Sequence, residues 1–121
     1  MFQVDFYEKN GKSDVYDFLE DLRRRKDNNK DARIQYEQVV SYIQLLSDNG
    51  TMGLPKRIAE NIDDGIWELR PGNNRIFFFF FNKDGHYVLL HHFRKKTQKT
   101  PPGEIRKAKA ERADYIAQKE G

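Results

Sequence analysis

The fold is decided by the stretch from residue 66 to residue 93, IWELRPGNNRIFFFFFNKDGHYVLLHHF. It holds three apolar runs, at 66–70, 75–81 and 86–93, each of the length of a strand and rich in aromatic or β-branched residues. The turn-forming sequences Pro-Gly-Asn-Asn and Lys-Asp-Gly separate the runs. Because strands joined by short turns pair with their neighbours, the stretch predicts three consecutive antiparallel strands.

Two amphipathic helices are predicted before this block. Ser13 is a suitable N-terminal cap for the first, and the cations at 23–26 suit its end, where they face the negative pole of the helix dipole. The second is predicted over about residues 31–47 and ends at Asn49-Gly50. Because the link between them is short, we expect the two helices to form an antiparallel hairpin.

The remaining segments add one strand, one loop and one helix. Residues 2–6 alternate apolar and polar side chains, which predicts a half-buried strand. Residues 51–65 contain a proline and the breaker pair Asp64-Gly65, and they are predicted to be a loop. A final helix should begin near Thr100, which two prolines follow.

The element order β-α-α-β-β-β-α predicts an α+β fold in a single domain over residues 1–121. A small, twisted, mostly antiparallel sheet should carry the N-terminal helix hairpin on one face, with a C-terminal helix after it and the other face partly free. The sequence has no cysteine, which excludes a disulfide framework, a thiolate metal site and a cysteine nucleophile. Its longest apolar run, residues 76–81, is too short to cross a bilayer.

Positive charge is concentrated in the last third of the chain. The net charge is only +3, but residues 86–121 carry 9 basic and 4 acidic side chains, against 8 basic and 10 acidic in residues 1–50. The densest part is HHFRKKTQKT, residues 91–100, which contains no acid. A local excess of cations attracts phosphates or acidic protein surfaces. A merely solvated face is the simpler explanation, and it stays open.

Strand alternation brings several basic side chains to one end of the sheet. If the strands align in register, one face carries Arg75, Phe77 and Phe79 together with Tyr87, Leu89, His91, Phe93 and Lys95. The side chains that would then converge are Arg70, Arg75, His91 and Lys95. Such a cluster suits cleavage of RNA by its own 2′-hydroxyl, which needs a base, an acid and cations for the developing charge but no metal. Histidine titrates near neutral pH, and arginine binds phosphate through paired hydrogen bonds.

Each of these signals also has a purely structural explanation. A strand histidine is more often packed or on the surface than catalytic, and Arg70 can simply pair with Glu68 or Asp64. Two histidines with scattered carboxylates do not form a metal site. The sequence has no phosphate-binding glycine loop, no serine-nucleophile elbow and no zinc pattern. The residues alone therefore predict a basic-faced α+β domain, with nucleic-acid binding as the favoured function.

Residues 66–116 resemble a known family. The segments IWELR, NRIFFFF and YVLLHHFRKKTQKTPPGEI, with the closing helix, are similar to the RelE/ParE toxin superfamily in its HigB-like, phage-derived branch. The resemblance implies a type II toxin that acts as a ribosome-dependent mRNA endonuclease without metal or cofactor. It also implies a cognate, HigA-like helix-turn-helix antitoxin and a toxin–antitoxin complex that binds operator DNA. Such a toxin would act on ribosomes and mRNA in the cytoplasm and not at a membrane.

The resemblance also implies roles for individual positions. Arg75 matches the phosphate-binding arginine that opens the central strand, and His91 matches the histidine of the HxFxKK segment, an acid or base. Lys95 and Lys96 match the lysine pair, with a role in transition-state stabilisation or substrate binding, and Arg70 fits the ELR motif. The further positions implied to contact RNA are Lys56, His92, Arg94 and Lys99.

Two other functions stay open. A ParE-like toxin would have the same fold but would inhibit DNA gyrase without nuclease activity. The histidine–lysine segment argues against it, because a toxin that only binds protein needs no acid–base group. A non-catalytic RNA- or protein-binding module would use the same cations only for salt-sensitive binding.

Overall fold

The computed structural model describes residues 1–120, and Gly121, which the predicted domain includes, lies outside the described residues. In chain order the elements are β1 (Val4–Phe6), α1 (Asp14–Arg25), α2 (Lys30–Asn49), a 3-10 turn (Thr51–Gly53), β2 (Ala59–Asp63), β3 (Ile66–Leu69), β4 (Asn74–Phe81), β5 (His86–Arg94) and α3 (Pro102–Glu120). The predicted α+β class is confirmed.

One five-stranded sheet has the order β1-β5-β4-β3-β2. β1 pairs in parallel with β5, beginning with Val4 opposite Tyr87. The other neighbouring strands are antiparallel. β4 and β5 are the longest strands, and nearly all of their side chains are buried or half-buried. The three antiparallel strands predicted from residues 66–93 are therefore confirmed as the centre of the fold.

Helices cover both faces of this sheet. The α1–α2 hairpin packs its apolar stripe on one face, as predicted, in a core that includes Val15, Val39, Leu46, Phe78 and Leu89. α3 packs on the opposite face, in a core that includes Phe77, Phe79, Val88, Leu90, Ala108 and Tyr115. The expectation of a partly free second face is therefore wrong. The apolar stripe of α3 is thin, but its buried residues lie seven apart on one side of a long helix, and this is enough to pack α3 on the sheet.

Local hydrogen bonds determine where the first two helices begin, and a glycine determines where the second ends. Ser13 Oγ accepts from the backbone N–H of Tyr16 at 3.1 Å, and Asn29 Oδ1 accepts from that of Ala32 at 3.0 Å. Gly50 follows α2 with φ 68°. Glycine is the residue for which a positive φ costs least, so it ends the helix at the predicted place.

The prediction that residues 51–65 form a loop is wrong. They contain the 3-10 turn and β2, which pairs with β3 at the edge of the sheet. Asp64 and Gly65, at φ 49° and 79°, join the two strands in a two-residue hairpin turn. β2 could not be recognised by alternation because it places a single apolar side chain on each face, Ala59 on one and Ile62 on the other.

A β-bulge interrupts β5 opposite the middle of β4. Ile76 pairs with His92, whereas Phe78 pairs with Leu89. One residue of β4 therefore lies opposite two residues of β5, at positions 90 and 91. An extra residue in one strand reverses the face of every side chain that follows it.

The bulge changes which side chains of β5 lie together. Tyr87 and Leu89 face the α1–α2 hairpin, whereas His91 and Phe93 face α3. The predicted common face from Tyr87 to Lys95 is therefore wrong for its first part. It holds for its second part, and that part shares a face with Arg75.

Candidate functional site

A cavity of about 500 Å³ opens where β3 ends, β4 begins and β5 runs into the segment 95–101. Its walls come from these strand ends, from the segment itself and from the first turn of α3. The charged side chains that line it are Glu68, Arg70, Arg75, Arg94, Lys95, Lys96, Lys99 and Glu104. Six cations against two carboxylates favour the binding of a ligand with several negative charges.

A buried carboxylate organises the β3 side of the cavity. The side chain of Glu68 is 3% exposed. Its Oε1 accepts a hydrogen bond from Arg70 Nε at 3.0 Å and lies 3.4 Å from Arg75 Nε. Its Oε2 accepts from Thr100 Oγ1 at 2.6 Å. One carboxylate therefore orients two arginines and also anchors the far end of the segment 95–101.

The two arginines are held in different ways. Arg70 also binds the carboxylate of Glu60 at 2.8 Å and the backbone carbonyl of Lys56 at 2.9 Å. The structural pairing of Arg70 with Glu68, left open by the sequence, does form. Arg75 donates to the backbone carbonyls of Gly72, in the preceding turn, and of Asn74, at the start of β4, at 2.7 and 2.8 Å. Burial lowers the pKa of Arg75, a shift that Glu68 opposes and Arg70 reinforces. An arginine nevertheless stays protonated at physiological pH, so its charge is retained.

Three lysines bring charge without acidic partners to the cavity rim. The backbone N–H of Lys95 donates to the carbonyl of Asn73 at 2.8 Å, which fixes the start of the segment 95–101. Within residues 1–120, none of Lys95, Lys96 and Lys99 has a carboxylate oxygen within 4.0 Å. Their ammonium groups are therefore available to an anionic ligand.

His91 lies behind the cavity wall. It is 1% exposed, and its ring packs edge-on against Phe77 with the ring centres 5.2 Å apart. Nδ1 lies 2.5 Å from Glu111 Oε1, and Nε2 lies 3.1 Å from Glu104 Oε1. Both carboxylates come from α3, but only Glu104 lines the cavity. The bulge of β5 is what directs this histidine towards α3.

His92 lies on the opposite face of the sheet, away from the cavity. Its ring stacks on Phe18 at 3.9 Å, and both its Nδ1 and its backbone N–H contact Asp14 Oδ1, at 2.5 and 2.9 Å. Burial pushes the pKa of Asp14 upward, but these bonds and the nearby histidine charges outweigh it, so that the net pKa is lowered. Here His92 joins β5 to α1.

Of the two other expected RNA contacts, Arg94 lines the cavity and Lys56 does not. Arg94 lines it, but its guanidinium also donates to Gln35 Oε1 at 3.0 Å, on the α2 side. Lys56 lies outside the lining, and its highly exposed ammonium is 3.8 Å from Glu60. Of the nine expected site residues, the structure brings six to the cavity: Arg70, Arg75, Arg94, Lys95, Lys96 and Lys99.

Acidic and hydroxyl side chains of the site were missed from the sequence: Glu68, Thr100, Glu104 and Glu111. The sequence does contain a signal for Glu68. It is a lone carboxylate inside an apolar strand, and because Arg70 is two residues away, the two side chains lie on the same face. Glu104 and Glu111 are seven residues apart and therefore lie on one side of α3. Nothing in the sequence indicates that this side meets His91.

No metal centre is evident in the part of the chain that the structure describes. Across residues 1–120, no group of three or more histidine, cysteine, aspartate or glutamate side chains could hold a metal ion. In the same residues, no helix is both long and apolar enough to span a membrane.

Residues 18–113 match the family described as phage-derived protein Gp49-like (DUF891). The matched region contains every residue that lines the cavity, and it extends from within α1 to within α3. No curated protein matches the chain.

Proposed function

The chain belongs to the phage-derived Gp49-like family, a RelE-like toxin family, and from this we propose that it is a ribosome-dependent mRNA endonuclease of a type II toxin–antitoxin system. We place it in the HigB-like branch. Membership in a toxin family implies a cognate antitoxin. We propose that this antitoxin is a HigA-like helix-turn-helix protein, and that the complex binds operator DNA in the cytoplasm.

The observation that carries the proposal is the cation-lined cavity. An RNA strand threaded past Lys95, Lys96 and Lys99 would place a phosphate against Arg75, whose guanidinium is held by Glu68 and by two carbonyls. Preorganised cations stabilise the charge that develops on the phosphate oxygens in the transition state. The ribosome is itself a polyanion, so the lysines at the rim would also strengthen binding to it.

The proposed chemistry needs only groups of the chain and the RNA. The 2′-hydroxyl attacks the adjacent phosphorus, a base takes its proton, and an acid protonates the departing 5′-oxygen. Arg75, Lys95 and Lys96 stabilise the negative charge on the phosphate oxygens in the phosphorane-like transition state. Arg70 binds Glu68, the carboxylate that orients Arg75. His91 belongs to the acid–base system, together with the carboxylates that contact it.

The test is expression in cells, with pulse-labelled methionine and mapping of mRNA 5′ ends. The wild type is compared with the double variant Lys95→Ala/Lys96→Ala, because Lys96 is exposed, Lys95 is half-buried, and neither belongs to the apolar core. The matched control is Lys9→Ala/Lys12→Ala, which removes two exposed lysines near the start of the chain.

We expect the wild type and the control to stop translation and to cut mRNA inside translated frames, and the cavity variant to lose both effects. Arrest of DNA replication with intact mRNA would replace the proposal with a ParE-like gyrase inhibitor. Absence of both effects would leave a non-catalytic binding module. Equal cleavage by the cavity variant would show that another surface holds the RNA.

A further inference from the structure

Two carboxylates line the cavity, and their oxygens are used differently. Both oxygens of Glu68 are occupied, one by the two arginines and the other by Thr100. Glu104 is 31% exposed in its side chain, and its Oε1 is 3.1 Å from His91 Nε2. Among residues 1–120, no hydrogen-bond partner contacts its Oε2. Glu104 therefore offers the cavity an oriented carboxylate with a free oxygen.

The contacts behind Glu104 hold this orientation. His91 contacts a carboxylate with each of its two nitrogens. The 2.5 Å contact with Glu111 is shorter than the 3.1 Å contact with Glu104. The ring is therefore held between the two carboxylates, and Glu111 is its closer partner.

We propose that Glu104 is the general base that takes the proton of the RNA 2′-hydroxyl, and that His91 and Glu111 are positioning residues behind it. This inference rests on the proposed endonuclease function. The role of base, expected for His91, is thereby assigned to Glu104, which contacts His91 and lines the cavity. Glu104 also lies in the first turn of α3, where the helix dipole favours a carboxylate.

Glu104 accepts the proton of the 2′-hydroxyl, the bond from O2′ to phosphorus forms, and the bond from phosphorus to O5′ breaks with its electron pair on O5′. The departing oxygen takes a proton from an ammonium group of the same cavity, that of Lys95 or Lys96. The products are a 2′,3′-cyclic phosphate and a 5′-hydroxyl. Exchange with water afterwards returns the proton of Glu104 to solvent and reprotonates the lysine.

The experiment measures cleavage by the full chain on ribosomes programmed with a mixture of A-site codons. Glu104→Gln keeps the shape of the side chain and an acceptor for His91 but cannot take a proton. We expect its kcat to fall at least about 100-fold, the usual contribution of a general base, with an unchanged KM for the ribosome. Glu120→Gln, which makes the same change at an exposed position of α3, should behave as the wild type.

Chemical rescue separates a base from a structural side chain. Glu104→Ala with added sodium formate should regain cleavage, and the same ionic strength of sodium chloride should not restore it. Glu111→Gln should lower kcat by less than Glu104→Gln with KM unchanged, because it removes the charge of the residue that positions His91 and leaves the proposed base itself in place. Thermal unfolding of each variant confirms that it is folded.

The outcomes distinguish this inference from the proposed function. If Glu104→Gln cleaves at the wild-type rate while Lys95→Ala/Lys96→Ala is inactive, the endonuclease stands and Glu104 is not its base. If formate fails to rescue a folded and inactive Glu104→Ala variant, the role of Glu104 is structural. If the wild type itself cuts no mRNA on ribosomes, the proposed function falls, and the inference falls with it.

Discussion

Removing the charge of Glu68 tests whether this carboxylate holds the site together. In Glu68→Gln the side chain keeps its size and can still accept one hydrogen bond, but the buried negative charge is gone. Arg70 keeps Glu60 at 2.8 Å. Within residues 1–120, Arg75 has no other carboxylate within 4.0 Å, and its side chain is only 10% exposed.

The size of the effect follows from this asymmetry. Removing one partner of a buried ion pair costs about 3–5 kcal/mol, because the other charge is left without compensation. Only Arg75 loses its one carboxylate partner, that contact is 3.4 Å long, and two backbone carbonyls still accept from the guanidinium, so we expect about 3 kcal/mol. For a domain of this size, that loss lowers the unfolding temperature by roughly 12 °C.

Urea unfolding followed by tryptophan fluorescence measures the loss directly. Trp67 is the single tryptophan of the sequence and precedes Glu68 in β3, so its signal reports on this region. The control is Asp27→Asn, whose carboxylate is 83% exposed and 3.6 Å from Lys26. Exposed pairs contribute about 0–1 kcal/mol, so this variant should remain close to the wild type. If Glu68→Gln lost no more free energy of unfolding than Asp27→Asn, the buried network would have no energetic role.

Three further predictions concern parts of the fold outside the cavity. The lowered pKa of Asp14 stabilises the protein above the ordinary aspartate value of 3.8, and this contribution disappears as pH falls through the lowered folded-state value. The difference in urea midpoint between the wild type and Asp14→Asn should therefore shrink from pH 7 to about pH 3. A difference that stays constant over this range would contradict the prediction. Burial first, and then a bonded aspartate, raise the pKa values of Tyr7 and Tyr115 far above 10.0. The fold therefore keeps this contribution to stability below that pH and loses it as pH rises through the raised values. At about pH 11, Tyr7→Phe and Tyr115→Phe should absorb at 295 nm as the wild type does, because a protonated tyrosine gives no phenolate signal; a lower absorbance of either variant would contradict the prediction. Gly50→Ala should lower the free energy of unfolding by about 1–3 kcal/mol, because φ is 68° and the new Cβ would lie 2.6 Å from an aromatic carbon of Phe2. Gly11→Ala is the control: its φ of 76° is also positive, but no atom lies within 4 Å of the new Cβ. It should therefore cost less in the same thermal scan.

Much of the fold could be predicted from local patterns. The three central strands follow from apolar runs separated by turn sequences, and the two N-terminal helices follow from their apolar stripes and caps. Each of these signals is a property of neighbouring residues, so no knowledge of the tertiary structure is required. β2 was not predicted, because its own sequence has no strand pattern. Its pairing with β3 across the turn Asp64-Gly65 makes it a strand.

The candidate site was predictable in its cations and not in its carboxylates. The run from Arg94 to Lys99 is visible in the sequence, and the strand positions of Arg70 and Arg75 place them at the same end of the sheet. The partners of a buried carboxylate depend on the register of different elements, which local alternation does not specify. Glu104 could therefore not be connected with a histidine of β5.

Local patterns thus established every helix and every strand except β2, the order of those elements, and the concentration of positive charge at one end, because periodicity, capping and charge are local properties. The tertiary structure decided which side chains use that charge. A single extra residue in β5 turns His91 towards α3 and sends His92 to the other face, where it binds Asp14. The packing of α3 then places Glu104 between His91 and the cavity. Such contacts join residues far apart in the chain, so they exist only once the sheet and its helices have assembled.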